Sequence, residues 1–300
     1  MRLYSLFIAF PLLFSLPGMA QTDTFETENI EKRTLAFAER DSTLYLDFYQ
    51  KKGDTAVRPC VIFVFGGGFA VGSRDERAYH SYFKNLVNRG LKVASIDYRL
   101  GLAGIYDEVG IFNTKPLGTA IDMAVADLYE ATAFLLSESE ALGLAPSSFI
   151  VSGSSAGAIT SLQADWYLKN TNELSEILPD NFRYAGVIAF AGAIFSTTGK
   201  PRYPNPPSPT LFFHGTDDKT VPYSKRRLLN KGLFGSAVLA KHFLKEGYPF
   251  FLVSEREARH SIAVSAMSER LDEILQFIGT AVLSESHFQK EITLFPIQGK

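Results

Sequence analysis

A series of short apolar runs alternating with stretches of helical period constrains this chain more than any other feature. Residues 60–65 (Cys-Val-Ile-Phe-Val-Phe) form a continuous run of apolar side chains, mostly β-branched or aromatic, the pattern of a strand buried on both faces. Residues 91–98, 148–152, 184–191, 210–213 and 249–254 read in the same way. Between or after them, residues 76–88, 117–137, 156–168, 222–229, 236–245 and 262–282 read as helices. Ahead of them, 34–40 and 43–50 alternate as two strands around Asp41-Ser42, a tight hairpin. This order predicts an α/β fold: a mostly parallel, doubly wound sheet with an antiparallel N-terminal hairpin and helices on both faces. In such a sheet the chemistry gathers beyond the carboxyl ends of the strands. The segment following each strand is therefore where functional residues belong.

The first twenty residues have another character. Met1-Arg2 gives a positive start, residues 3–16 are apolar except for Ser5, Pro11 and Ser15, and Gly18-Met19-Ala20 supplies small residues where a signal peptidase reads. The pattern predicts a signal peptide over 1–20, cleavage near Ala20, and a secreted or periplasmic protein. The run falls short of the roughly 20 apolar residues that a bilayer span needs, and no cysteine follows it to carry a lipid. No stable membrane insertion is expected. Residues 21–300 read as a single domain, because the proline-dense stretch 200–209 lies between two core strands and a boundary there would split the sheet.

Thirty basic and 32 acidic residues leave a net charge of -2 with no long run of one sign, which argues against a nucleic-acid partner. A small molecule is the expected partner, and nothing in the sequence speaks to oligomeric state. Cys60 is the only cysteine, so no intramolecular disulfide can form, and it reads as a buried small hydrophobe. With no His-x-x-x-His or His-Glu-x-x-His spacing, no metal and no cofactor are expected.

Three features carry chemistry. Phe149-Ile150-Val151 runs into Gly153-Ser154-Ser155-Ala156-Gly157 and then an alanine-rich helix. A nucleophile on a sharp strand-to-helix turn needs small neighbours, which Gly153 and Gly157 provide. The following helix aims amides and its positive end at the site, favouring a developing oxyanion. Ser155, at the centre of the pentapeptide, is the candidate nucleophile; Ser154 is its rival. The second feature is Gly66-Gly67-Gly68-Phe69, directly after the run ending at Phe65. Three glycines let backbone amides turn towards one point. A phosphate loop would need Lys-Ser/Thr or a Gly-x-Gly-x-x-Gly register, and neither is present. The third is a base and its orienting acid. His80 precedes the nucleophile, His242 lies in a predicted helix and His287 near the C-terminus. That leaves His260 as base, with an aspartate near His214 as its partner, in the order Ser, Asp, His.

On these residues the chain resembles the α/β-hydrolase superfamily, and within it the esterase/lipase branch related to hormone-sensitive lipase and bacterial carbohydrate esterases. The resemblance runs over about residues 46–279 and includes Asp97-Tyr98-Arg99-Leu100 and the segment from His214 to Pro222. It implies that the acid is Asp218 rather than Asp217, and that the oxyanion donors are the amides of Gly67, Gly68 and Ala156. It further implies a serine carboxylic-ester hydrolase, working through an acyl-enzyme on a small or carbohydrate-linked (saccharide) acyl ester. Two positions depart from the pattern. Phe65 stands where many relatives carry a histidine that braces the glycine loop, and Ser154 stands where Asp or Glu is frequent.

Arg99 is expected to pair with an acid such as Asp127, since a half-buried arginine needs a partner. The segment 101–116 follows a strand end and should overhang the site, either shaping a substrate pocket or simply packing as a surface loop. No large insertion precedes the strand at 184, which argues against a dedicated long-chain lipase. Two rivals stand beside the esterase. A secreted serine peptidase of the same fold would usually bring a large extra domain, and a non-catalytic binding protein would have lost a triad member.

Overall fold

The computed structural model describes residues 29–110 and 112–295, so the expected leader at 1–20 lies outside the described residues. In chain order the strands and α-helices are β1 (Ile30–Glu39), β2 (Thr43–Lys51), β3 (Arg58–Val64), α1 (Arg77–Asn88), β4 (Lys92–Ile96), α2 (Lys115–Ser137), β5 (Leu144–Ser154), α3 (Ala156–Lys169), β6 (Gly186–Phe190), β7 (Ala193–Ser196), β8 (Thr210–Gly215), β9 (Lys225–Leu228), β10 (Lys231–Gly235), α4 (Ser236–Glu246), β11 (Phe250–Glu255), α5 (Ile262–Glu269), α6 (Leu271–Phe277) and β12 (Gln289–Leu294).

The expected hairpin forms, with Glu39 opposite Thr43. It is the antiparallel edge of a nine-stranded sheet of order β1-β2-β4-β3-β5-β6-β8-β11-β12, parallel from β4 onward. The central strands read as unbroken apolar runs because helices cover both their faces: β4, β6 and β8 are buried throughout. On one face α1 packs against α5, and on the other α2 packs against α3. Helix α3 is buried on nearly every side over its first ten residues, hence its small, apolar composition instead of a one-sided stripe.

Two features of the topology place a site. The chain moves from β3 outward to β4 and then returns to the far side of β3 with β5, so the strand order reverses between β3 and β5. A crevice opens beyond the carboxyl ends of strands at such a reversal. The register then aligns those ends: Val64 lies beside Gly153, Gly153 beside Ala189, Phe190 beside Phe213, and His214 beside Ser254. The segments leaving β3, β5, β8 and β11 therefore emerge along one edge.

Three sequence expectations are revised. Residues 222–229 were expected as helix, yet the chain turns and then forms β9, which pairs with β10 in a small antiparallel sheet of order β7-β10-β9. Its Lys-Arg-Arg-Leu side chains are largely solvent-facing, so no apolar period marks either state, and cross-strand hydrogen bonds decide. The helix expected over 262–282 breaks at Arg270 (φ -123°) into α5 and α6, followed by a π-helical turn over Ile278–Leu283. Strand β12 went unforeseen because it is a half-exposed, mostly polar edge, paired parallel to β11. The proline-dense stretch 200–209 is a loop, as expected.

Arg99, just past β4, donates from Nε (2.9 Å) and an Nη atom (2.7 Å) to Oδ1 of Asp127 on α2, and its amide donates to Oδ2 at 2.7 Å. Asp127 is fully buried, so this guanidinium is its main compensation. Replacing Arg99 by Met should destabilise the fold by about 3 kcal/mol, read as a lowered urea midpoint with unchanged slope. A shift within experimental error would show that the pair does not hold the β4 exit to α2.

Candidate active site

The β5–α3 junction is a sharp elbow. Ser155 sits at φ 50°, ψ -112°, a conformation costly for a residue with a side chain, and its amide donates to the Phe190 carbonyl at 2.8 Å. The neighbours must be glycine for lack of room. A Cβ on Gly153 would lie 2.2 Å from the Gly157 carbonyl oxygen, and one on Gly157 would lie 2.0 Å from the Val64 oxygen. Ser154 points away, donating to the Ala263 carbonyl at 2.9 Å. It ties the elbow to α5, whereas the Ser155 hydroxyl is the one that meets His260.

His260, between β11 and α5, reaches Ser155. The Ser155 Oγ lies 2.7 Å from His260 Nε2, and His260 Nδ1 lies 2.6 Å from Asp218 Oδ2. With Nδ1–H donating to the carboxylate, Nε2 is left to accept from the hydroxyl. Asp217 takes no part in this relay; Asp218 does. Its other oxygen accepts from the amides of Thr220 (2.8 Å) and Val221 (3.0 Å), which pins the carboxylate in its turn. The segments carrying acid and base are stitched together: Asp217 N donates to Ala258 O at 3.0 Å, and Glu257 N to Thr216 Oγ1 at 2.9 Å.

Burial of Asp218 opposes its ionisation, but hydrogen bonds and charge from His214 and His260 more than offset that, holding its carboxyl well below the ordinary carboxylate range. It therefore stays an anion wherever the protein is folded at ordinary pH.

The glycine loop after β3 has Gly67 at φ 113°, Gly68 at φ 64° and Phe69 at φ 62°. At Gly67 any side chain is excluded as well, since a Cβ would fall 1.9 Å from the Val71 oxygen. The Gly67 carbonyl accepts from the amides of Ala70 and Val71, both at 3.1 Å, turning the peptide plane over. Among the described residues, the amides of Gly67, Gly68 and Ala156 donate no hydrogen bond within the protein. They are left available to an oxyanion.

Phe65 stands before this loop, and aromatic residues brace it. The Phe65 ring stacks on Tyr98 at 4.4 Å, the Tyr98 hydroxyl donates to the Phe65 carbonyl at 3.2 Å, and the Tyr79 hydroxyl accepts from the Gly66 amide at 3.1 Å. Burial raises both phenol pKa values, so Tyr98 keeps the proton it donates. Sequence reading singled out Asp97-Tyr98-Arg99 but credited only Arg99, and it passed over Tyr79. The signal available was the tyrosine two residues past a core strand.

The segment after β4 overhangs the loop, as expected. Leu102 N donates to Phe69 O at 2.9 Å, and the Tyr106 ring approaches Gly68 so closely that a Cβ there would meet it at 3.1 Å. Among the described residues no group of three or more His, Cys, Asp or Glu could hold a metal ion, and no helix is long and apolar enough to cross a membrane.

A folded carboxyl pKa below the unfolded value means that ionised Asp218 contributes stability at neutral pH. That contribution declines as pH falls below the unfolded carboxylate range, near 3.9, towards the lower folded value. Asp218→Asn should therefore cost stability at pH 7, and the gap to wild type should narrow at about pH 3. Urea melts at both values test this; a gap that widens in acid would contradict it.

The BD-FAE family model matches residues 46–194, which include the glycine loop and the elbow. Curated relatives include gut esterase 1 of Caenorhabditis elegans, 31% identical over 100 residues (33% of this chain, 17% of that protein). Fumonisin B1 esterase of Sphingopyxis macrogoltabida is 26% identical over 137 residues, covering 45% of this chain and 25% of that protein. The chain thus spans a quarter or less of the length of these relatives. Among solved structures, native esterase Est2 of Thermogutta terrifontis superposes with a TM-score of 0.59 at 22% identity, over 83% of this chain and 92% of that one. The same Thermogutta protein phosphorylated by paraoxon gives a TM-score of 0.58 at 21% identity, over 83% and 94%. The chain is thus similar in sequence to esterases over part of its length and shares its fold with the Thermogutta esterase.

Proposed function

We propose that this protein is a serine carboxylic-ester hydrolase working through an acyl-enzyme. The observation that carries the reading is the continuous relay from Ser155 through His260 to Asp218, set beside three amides without an internal partner. In the proposed reaction His260 Nε2 takes the Ser155 proton as Oγ attacks the ester carbonyl. The carbonyl π electrons move onto oxygen, and the amides of Gly67, Gly68 and Ala156, with the positive end of α3 behind the last, receive that charge. Nδ1–H remains bonded to Asp218, whose negative charge stabilises the imidazolium. Collapse of the intermediate expels the alcohol, which takes the proton from His260. Water activated by the same imidazole then attacks the acyl-Ser155 and releases the acid. Esterases among the curated relatives and solved structures support the reaction class.

The substrate we propose is a small or carbohydrate-linked acyl ester. Tyr106 lies over Gly68, so the group entering beside the oxyanion loop meets an aromatic wall. We also propose that residues 21–300 act as one catalytic unit, exported after removal of 1–20. N-terminal sequencing of the exported protein should then begin at Gln21.

Ser155→Ala should lower kcat on a short-chain aryl ester by about 10⁴-fold or more and abolish labelling by a fluorophosphonate. Turnover close to wild type in that folded variant would refute the reading. Tyr106→Ala should raise KM by roughly 10-fold, the loss of one aromatic contact, with kcat little changed. Comparing acetate release from acetylated saccharides with release from simple esters tests the substrate class, and a uniform preference for simple long-chain esters would reject it.

A further inference from the structure

We infer that His214 and Ser236 form a positioning pair that aims Asp218 at His260. His214 closes β8 and is fully buried, yet the proposed relay does not use it. Its Nε2 lies 3.1 Å from the Val221 carbonyl oxygen and 3.5 Å from Asp218 Oδ2. Both of those atoms can only accept, so Nε2 carries a hydrogen whichever protonation state the ring adopts. The ring orientation is then fixed from the far side: Nδ1 lies 2.7 Å from Ser236 Oγ, and Ser236 is itself fully buried at the first position of α4. A hydroxyl can serve as partner to a bare or a protonated Nδ1, so the contact survives either state.

The geometry gives this pair leverage over the acid. The Val221 backbone is held on both sides of its Cα. Its amide holds Asp218 Oδ1 at 3.0 Å, while its carbonyl receives His214. His214 therefore secures the residue whose amide holds one carboxylate oxygen, and stands beside the other oxygen, the one that accepts from His260. Ser236 reaches this position because β10 ends there, and Gly235 is pressed against the turn that follows Asp218. A Cβ on Gly235 would lie 1.8 Å from the Pro222 oxygen. The Tyr223 ring closes on the imidazole edge at 5.5 Å. The small sheet β7-β10-β9 is thereby connected through two side chains to the acid of the relay.

His214 touches neither nucleophile nor base in the structure, so it acts through Asp218. This inference rests on the proposed role of Asp218. The experiment separates the two side-chain functions of the ring. In Gln the amide nitrogen falls near the place of Nε2, whereas in Asn the side chain reaches only as far as Nδ1. His214→Asn should lower kcat roughly 10- to 100-fold with KM little changed, the effect of a misaimed catalytic group. His214→Gln should recover most of that loss, and Ser236→Ala should lower kcat less than His214→Asn.

The low-field proton resonance of the His260–Asp218 hydrogen bond gives a readout that needs no turnover. It should persist in wild type and His214→Gln, and broaden or vanish in His214→Asn. Equal kcat and equal resonance in His214→Asn and His214→Gln, both folded, would overturn the inference. If His214→Asn does not fold, Ser236→Ala carries the test, and an unchanged kcat and resonance there would overturn it. Retained activity in Ser155→Ala would instead defeat the proposed function, and the resonance comparison would still decide the role of His214.

Discussion

The structure depends on one close approach: the β5–α3 elbow pressed against the end of β3. Gly157 lies so near the Val64 and Phe65 carbonyls that a Cβ would come within 2.0 Å of the first and 2.6 Å of the second. This contact sets the distance between the turn that presents Ser155 and the loop that presents Gly67 and Gly68. It also explains how a serine at φ 50° persists. Such a conformation costs on the order of 1–3 kcal/mol, and it is held because the strand behind it, the helix ahead of it and the Phe190 carbonyl leave the chain no other path. Strain at Ser155 and its alignment with the glycine loop have the same cause.

Electrostatics complete what packing begins. The relay ends in a carboxylate largely withdrawn from water, a position that would normally favour the protonated acid. Four donors oppose that tendency: the Thr220 and Val221 amides, His260 Nδ1 and the neighbouring His214. An anion so compensated can orient an imidazole without giving up its own charge. The same logic recurs away from the relay at Asp127, where a fully buried carboxylate is satisfied by the Arg99 side chain and amide. That pair fixes the β4 exit, and the β4 exit carries Tyr98, whose hydroxyl and ring brace the glycine loop. The path from Asp127 to the glycine loop is thus a continuous series of packed and hydrogen-bonded groups.

What the sequence disclosed follows from what dominates each region. Buried parallel strands can be read from apolar runs alone, because both faces must be apolar, and so 60–65, 148–152 and 210–213 were recognisable. Ser155 and His260 stood out because their turns follow such strands. The exposed strands β9 and β12 were not legible. A strand made of Lys-Arg-Arg-Leu has no apolar face, and its existence rests on backbone pairing with β10 across a two-residue turn. Residue composition also could not show that the helix over 262–282 would break at Arg270. Asp218 was reached by resemblance, since two adjacent aspartates are equivalent as sequence and differ only in which one the turn points inward. The partners of His214 were hidden for the same reason: Ser236 lies 22 residues away and is brought there by β10.

Phe65 shows how stacking can take the place of hydrogen bonding in bracing a loop. A histidine at this place would brace the loop by hydrogen bonding. Here the ring stacks on Tyr98 instead, and the hydrogen bonds are made by two tyrosine hydroxyls to the loop backbone. A stacked ring does not titrate, and the two phenols are pushed further from titrating by burial. The support of the glycine loop is therefore insensitive to acid, whereas a histidine brace would gain a charge near neutrality. Of the groups around Ser155, Gly67 and Gly68, this leaves the His260 imidazole as the one on which the proposed reaction places a transient charge.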